Sequence, residues 1–345
     1  MSTEKRPLKI IQIGTSHEHA SGKYASLKLI PETFELLGYV DDLEFMDTPR
    51  YVTELHPTYQ DGRKKFTLEE ALSYPGLDAV AVEVPNLELV KIGKMCAERK
   101  IAIHLDKPAG ENMEDYAELL ELCKKNRVPL QMGYMYRGNP ALSYVRELIR
   151  NKVIGEVFEA SLDMNHGYGN AFYDEYIASF KGGIMFNLGC HLVDFVLAAM
   201  GEPVKVTPFI TSVPGHPARE VNNMLAVLQY PNAFVKLTAC SGESGVTQHR
   251  RWTFAGTNGY ININPPERFD GKGVEVTLFM KKAHGLIPRG NHVFTFPPQR
   301  DRYVEQLLEF AQIIRNEIEN PYTYAHDSAV HKVTLAASGY TTWEK

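Results

Sequence analysis

The sequence predicts two domains, a doubly wound α/β domain followed by an α+β domain built on a large, mostly antiparallel open sheet. Three observations carry this. The chain has 345 residues, too many for one ordinary core and about right for two. Its first third alternates short apolar runs with amphipathic patterns, which is how βαβ units of a parallel sheet read when both faces are covered. Beyond residue 150 the apolar period shortens to every second residue, as in a sheet with one packed and one exposed face. The boundary is drawn between 1–134 and 135–345.

The elements follow in order. Leu8–Ile13, Phe34–Val40, Asp78–Val84, Ile101–Leu105 and Val128–Met132 are the apolar runs. The first ends at Gly14, the second at Asp41 and Asp42, and the third at Pro85. Between them, Glu88–Arg99 places Leu89, Ile92 and Cys96 on one face, and Met113–Asn126 does so with Tyr116, Leu119, Leu120 and Cys123. A further helix is expected over Pro140–Arg150. Alternating strands are expected at Val157–Met164, Val204–Val213, Asn223–Gln229, Phe234–Ala239 and Val274–Phe279. Tyr230-Pro231-Asn232-Ala233 reads as a hairpin turn. A buried helix covers His191–Met200 and closes at Gly201, and a late amphipathic helix spans Arg302 to Ile318, with Val304, Leu307, Leu308, Ala311 and Ile314 inward.

Composition narrows the function classes. Forty-two acidic against 37 basic residues give a net charge of -5, with no basic stripe of the kind that binds phosphate backbones, so nucleic acid is not an expected partner. No window approaches the roughly 18 unbroken apolar residues of a membrane helix. The N-terminus has no apolar stretch ahead of the first strand-like run. Cys96, Cys123, Cys190 and Cys240 lie far apart without C-x-x-C spacing, as reduced thiols of a cytoplasmic chain would.

Open α/β sheets bind ligands beyond the carboxyl ends of their strands. The first such loop reads Gly14-Thr15-Ser16-His17-Glu18-His19. Of the three glycines of a dinucleotide fingerprint it keeps Gly14, with Ser16 and His19 at the other two places. Free amides at a helix start still suit a pyrophosphate, although a plain strand-to-helix turn reads equally well. Asp41 and Asp42 end the second strand, where a carboxylate accepts hydrogen bonds from an adenosine ribose. With no neighbouring Arg or Lys in the sequence, Asp41 favours NAD over NADP. An acidic turn is the alternative. Val84-Pro85-Asn86 and Asp106-Lys107-Pro108 end the next two strands, and Pro108 extends Lys107 so that its ammonium points at the crevice.

Taken together, V-P-N, D-K-P, G-Y-x-x-R and G-G-x-x-x-N-x-G-x-H-x-x-D, in this order after a Gly loop and an Asp-ended strand, resemble the Gfo/Idh/MocA family over nearly the whole chain. The resemblance implies an N-terminal Rossmann domain, a C-terminal domain whose open sheet serves dimer or tetramer contacts, and hydride transfer between a nicotinamide cofactor and a sugar or cyclitol hydroxyl. It places Lys107 on both the substrate hydroxyl and the nicotinamide ribose, and makes His191 the acid/base. It sets Pro85 and Asn86 on the nicotinamide side and Arg137 with Tyr134 at the domain junction. The strand-end residues Gly14, Thr15, Ser16, His17, Asp41, Asp42, Val84 and Asp106 join Arg137 as expected cofactor contacts, and Tyr134, Asn187 and His191 are expected near the substrate. His166 and Tyr168, in a glycine-flanked loop after a strand, are further candidate substrate contacts, although a loop histidine without a role reads equally well. The chemistry is sound in itself, because histidine titrates near neutrality and a lysine cation stabilises a developing alkoxide.

The chain departs from the family pattern in its missing glycines, in Asp106 where Glu is usual, and in Asn187, four before His191, where an aspartate is common. Asparagine orients an imidazole without supplying charge; Asp194 either compensates or interacts with a helix dipole. His17 and His19 lack a third ligand at recognisable spacing, so no metal is assigned. Cys190 reads as a buried structural thiol. Phe172–Tyr176, before Lys181-Gly182-Gly183, reads as a substrate lid or as a packed surface loop. The leading expectation is an NAD-dependent oxidoreductase of a polyol, with Lys107 and His191 as the reacting pair and Asn187 modifying it. Two alternatives are an enzyme that retains and recycles its NAD through a keto intermediate, and a weakened relative that binds a ligand or partner without turnover.

Overall fold

The computed structural model describes residues 5–167, 171–214, 221–245, 249–268, 270–299 and 301–345. The chain divides into two compact units, one formed by Met1–Gly138 with Asp301–Ser328 and the other by Asn139–Arg300 with Ala329–Lys345.

The first unit holds six strands, β1 (Leu8–Ile13), β2 (Phe34–Val40), β3 (Lys64–Phe66), β4 (Ala79–Val82), β5 (Ala102–Leu105) and β6 (Leu130–Met132). They form a parallel sheet in the order β3-β2-β1-β4-β5-β6, as expected of a doubly wound fold. β1, β4 and β5 are isoleucine-, valine- and alanine-rich because both their faces are covered. The connecting helices are α1 (Ala20–Lys28), α2 (Leu68–Leu72), α3 (Leu89–Glu98) and α4 (Met113–Asn126). Asn112 caps α4 by accepting the amides of Glu114 and Asp115, and Arg127 ends it at φ 56°.

Residues 301–328, read from the sequence as part of the second domain, cluster with the first. The reason is a set of non-local contacts made by α8 (Val304–Ile314) and the start of α9 (Tyr324–Ala337). Phe310 stacks on Phe34 with ring centroids 6.4 Å apart and tilts against His104 at 5.7 Å. Gln306 Nε2 donates to the Met132 carbonyl at 2.7 Å, and the Tyr324 hydroxyl donates to the Val128 carbonyl at 2.6 Å. α8 is shorter than the expected 302–318, and its buried face includes Gln306 and Phe310 rather than Leu308 and Ile314.

The second unit is built on nine strands: β7 (Val157–Asn165), β8 (Lys205–Thr211), β9 (Asn223–Tyr230), β10 (Ala233–Cys240), β11 (Trp252–Gly256), β12 (Gly259–Ile263), β13 (Val274–Met280), β14 (Gly290–Phe296) and β15 (Trp343–Glu344). Their order is β14-β13-β12-β11-β7-β10-β9-β8-β15, antiparallel throughout except for the β7–β10 pair. The Pro231-Asn232 hairpin joins β9 to β10 as expected. Helices α5 (Pro140–Arg150) and α7 (Cys190–Met200) pack on each other and on one face of the sheet; α6 (Ala171–Ala178) precedes α7. The opposite face exposes Phe209, Phe234, Tyr260, Phe279 and Val293. No described helix is long and apolar enough to cross a membrane.

Because Phe310 is fully buried among ring partners, Phe310→Ala should lower stability by about 3–5 kcal/mol in urea unfolding. A loss below about 1 kcal/mol would show that α8 is not part of the first core.

Candidate functional site

The strand order of the first unit reverses between β1 and β4, which pair on opposite sides of the switch point with β2 and β5. There Gly14 (φ +105°) lies so close to β4 that a Cβ would come within 2.4 Å of the Glu83 carbonyl, a contact only glycine permits. The turn continues with the His17 amide donating to the Glu83 carbonyl at 3.2 Å.

Thr15 and Ser16 are tied to the end of β2. Asp42, fully buried, accepts the amides of Thr15 (2.6 Å) and Ser16 (3.1 Å), the Thr15 hydroxyl (3.2 Å) and the Ser16 hydroxyl. Asp41 accepts the same Thr15 hydroxyl at 2.9 Å. The structure corrects one sequence-based inference at this point. A cation does lie beside Asp41, since β3 brings Lys65 Nζ to 3.5 Å from Asp41 Oδ2. The pairing of β2 with β3 puts these residues one strand apart although 24 positions separate them in the chain.

His17 and His19 turn inward toward β4 and β5, where they meet Asp106. Asp106 Oδ2 is 3.3 Å from His17 Nδ1 and 3.0 Å from His19 Nδ1, and its Oδ1 accepts the Lys107 amide at 2.7 Å. Glu83 Oε2 lies 3.8 Å from His17 Nδ1, and Glu83 Oε1 lies 3.4 Å from Lys23 Nζ. Lys23, on α1, also meets His104 Nε2 at 2.6 Å and lies 4.6 Å from the centre of the Tyr303 ring. All of these groups are buried. Burial sets their charge states. It pushes the His17 imidazole down to about 4 against the opposing pull of Asp106, and it lowers His19 and His104 as well. Burial together with the neighbouring Asp106 charge raises Glu83 well above the usual carboxyl range. Burial alone would raise Asp106 too, but the two imidazoles and Lys23 hold it well below its usual value.

Lys107 follows Asp106 and is fully buried, with its Nζ 3.6 Å from Glu18 Oε1 of the first loop. The Lys107–Pro108 bond is cis. Asn86 Nδ2 donates to the Lys107 carbonyl at 2.8 Å and lies 3.3 Å from His17 Nε2, and Val84 is buried. Gly14, Thr15, Ser16, His17, Asp41, Asp42, Val84, Pro85, Asn86, Asp106 and Lys107 therefore share one sheet edge. Tyr134 and Arg137 follow the carboxyl end of β6, where Gly133 packs against Asp106, and both are buried. The Arg137 guanidinium pairs with Asp327 at 2.6 Å and lies between the rings of Tyr322 (3.8 Å) and Tyr134 (4.8 Å).

In the second unit Asn187 and His191 are both buried. Asn187 occupies a wide π turn, Met185–Gly189, that leads into α7, a distortion frequent at functional sites. The Tyr173 hydroxyl donates to Asn187 Oδ1 at 3.4 Å, and the His166 ring lies 6.2 Å from that of Tyr173. Asp174, buried next to Tyr173, accepts the Ser241 hydroxyl at 2.6 Å, a pair not singled out in the sequence. Asp194 is buried in the second turn of α7 and Cys190 is buried at its start, donating to the Asn187 carbonyl at 3.3 Å. Tyr168 lies outside the described residues. Phe172–Tyr176 falls within α6, with Tyr173 and Tyr176 buried and Phe172 exposed, so it is a packed helix rather than an open loop.

Two residues at the first-unit edge carried no sequence signal. Glu83 sits inside an apolar strand run, and Lys23 sits on a helix with no apolar stripe. A dinucleotide suits this edge through the switch-point order, the Gly14 approach and the buried Asp41. The amides of Thr15 and Ser16 already serve Asp42.

A family model described as "Oxidoreductase family, NAD-binding Rossmann fold" matches residues 30–134, and one described as "GFO/IDH/MocA C-terminal domain" matches 142–262. The first match begins beyond the Gly14–His19 loop. The chain is 25% identical to a scyllo-inositol 2-dehydrogenase (NAD(+)) of Bacillus subtilis, covering 72% of this chain and 70% of the relative. It is 24% identical to a D-xylose 1-dehydrogenase (NADP(+)) of Haloferax volcanii, covering 71% and 72%. An oxidoreductase structure from Thermotoga maritima shares the fold at TM-score 0.76, with 15% identity over 97% of both chains.

Asp42→Ala would leave two buried amides without their acceptor and should cost about 2–4 kcal/mol in urea unfolding. Asp42→Asn keeps an acceptor oxygen and should cost less. Equal losses would show that shape alone does not hold this loop, and no loss in either variant would show that Asp42 does not hold it.

Proposed function

The chain belongs to the Gfo/Idh/MocA family of oxidoreductases, and on that premise we propose that it is an NAD-dependent enzyme interconverting a secondary alcohol and a ketone on a sugar, sugar derivative or cyclitol. The observation that carries the reading is Lys107, a fully buried ammonium at the carboxyl end of β5, held beside Glu18 of the loop where a dinucleotide would lie. A buried cation at a ligand-binding edge is suited to offset charge on a substrate oxygen, and low surrounding polarity strengthens it.

A bound nicotinamide supplies the hydride acceptor. Asp41 would receive the adenosine ribose hydroxyls, and Val84, Pro85 and Asn86 would line the nicotinamide end. Lys107 Nζ stabilises the oxygen as its proton leaves, and an imidazole nitrogen of His191 takes that proton. Asn187 stands where an aspartate is common in the family, so it would orient the imidazole without supplying charge. Lys65 beside Asp41 is compatible with a 2′-phosphate, so the choice between NAD and NADP turns on the balance of these two residues. The exposed row Phe279, Tyr260 and Phe234 on the open sheet supports self-association as a homodimer or homotetramer.

A second reading, a binding protein without turnover, is favoured by one observation, the engagement of the Thr15 and Ser16 amides by Asp42. Absorbance at 340 nm with myo-inositol, scyllo-inositol, xylose and glucose, each with NAD and NADP, separates the two. Turnover on any of these polyols supports the enzyme, and no reduction of either cofactor across the panel favours the binder. With a substrate in hand, Lys107→Ala should lower kcat by about 100- to 1000-fold with little change in KM. A change confined to KM would remove Lys107 from the transition state. Asp41→Ala should narrow the preference for NAD over NADP, and an unchanged ratio would exclude the ribose assignment.

A further inference from the structure

We propose that His17, His19 and Asp106, with Glu83 as a fourth donor, form a binding site for one divalent transition-metal ion at the carboxyl edge of the first sheet. The sequence shows two histidines and no third ligand; the fold supplies it from β5, 87 residues after His19.

Geometry comes first. One atom from each of His17, His19 and Asp106 lies within 4.8 Å of the other two. The two imidazole Nδ1 atoms approach one carboxylate oxygen at 3.3 and 3.0 Å, and Glu83 Oε2 lies 3.8 Å from His17 Nδ1. A tetrahedral ion bound at about 2.0–2.1 Å spaces its ligand atoms roughly 3.3–3.4 Å apart, near the spacing of these three once His17 Nδ1 releases the His19 amide that it accepts at 3.1 Å.

Charge points the same way. Glu83 is fully buried, yet neither of its oxygens accepts a hydrogen bond among the described residues. Glu83 Oε1 faces Lys23 Nζ at 3.4 Å, while Glu83 Oε2 has His17 Nδ1 at 3.8 Å. A divalent cation would balance the Asp106 carboxylate and give Glu83 Oε2 a ligand role. Mixed nitrogen and oxygen donors select zinc, cobalt or ferrous iron over magnesium or calcium, which prefer oxygen alone. The surroundings orient the ligands as outer partners do in built sites. The Lys107 amide holds Asp106 Oδ1 by hydrogen bond. His19 keeps 8% of its surface open, which provides a way in.

The test uses tag-free, full-length protein stripped with a chelator and titrated with Co²⁺ in the absence of nucleotide. Its outcome is therefore independent of the dinucleotide reading. The expected result is a visible d–d absorption of tetrahedral intensity that saturates at one equivalent and is abolished by one equivalent of Zn²⁺. His19→Gln and Asp106→Asn should each weaken Zn²⁺ binding, measured by calorimetry, by at least about tenfold, since loss of an outer partner alone costs about 10–100-fold. The proposal is overturned if stripped wild-type protein, folded by circular dichroism, takes up neither ion stoichiometrically. It is equally overturned if both variants bind Zn²⁺ as tightly as the wild type. Because the wild-type titration decides by itself, a variant that fails to fold leaves the test intact.

Discussion

Two buried carboxylates, Asp42 at the end of β2 and Asp106 at the end of β5, set the conformation of the segment that joins β1 to α1. A carboxylate removed from water is costly unless hydrogen-bond donors replace the lost hydration. Asp42 obtains them from the amides and hydroxyls of Thr15 and Ser16, and Asp106 from the Lys107 amide and the His19 imidazole, with His17 Nδ1 3.3 Å away. The loop is thus held from both sides of the strand-order switch. Gly14 keeps the backbone role that glycine has at such a place, because a Cβ there would collide with the Glu83 carbonyl just past β4.

This changes the meaning of the missing glycines. Random loss would leave side chains pointing at solvent or clashing with neighbours. Here Ser16, His17 and His19 are buried; Ser16 meets Asp42 at the end of β2, and both histidines meet Asp106 at the end of β5. The loop has exchanged backbone flexibility for side-chain contacts, and Glu18 of the same loop reaches Lys107. The edge that receives ligands in doubly wound sheets is therefore organised, which supports a working site over a decayed one. It also concentrates titratable groups where hydride chemistry needs charge control, the usual signature of a functional cluster.

The fold class was legible because buried parallel strands must be apolar. Ile10, Ile11 and Ile13 in β1 and the Ala-Val run of β4 declare themselves. The alternation of β9, β10 and β13 declared the second sheet equally well. Helix α1 gave no periodic signal because its inward face carries Lys23 and Ser26, held by polar partners instead of apolar packing. β14 was missed for a related reason, since its residues are nowhere buried. The sheet-edge loops were legible as candidates, but their partners were not. Asp106 meeting His17, Lys65 meeting Asp41, and Gln306 returning to Met132 all depend on register and crossover, which local patterns do not encode.

The central claim is that this rewired edge still receives a dinucleotide. The most direct measurement is a thermal-shift titration of nucleotide-free protein with NAD, NADH, NADP and NADPH. A ligand that binds only the folded state raises Tm by mass action, by about 2.7 kcal/mol of added stability at a hundredfold excess over Kd. The account predicts a saturable rise with NAD(H) exceeding that with NADP(H). No rise with any of the four, in protein shown by denaturing release to carry no bound nucleotide, would contradict it.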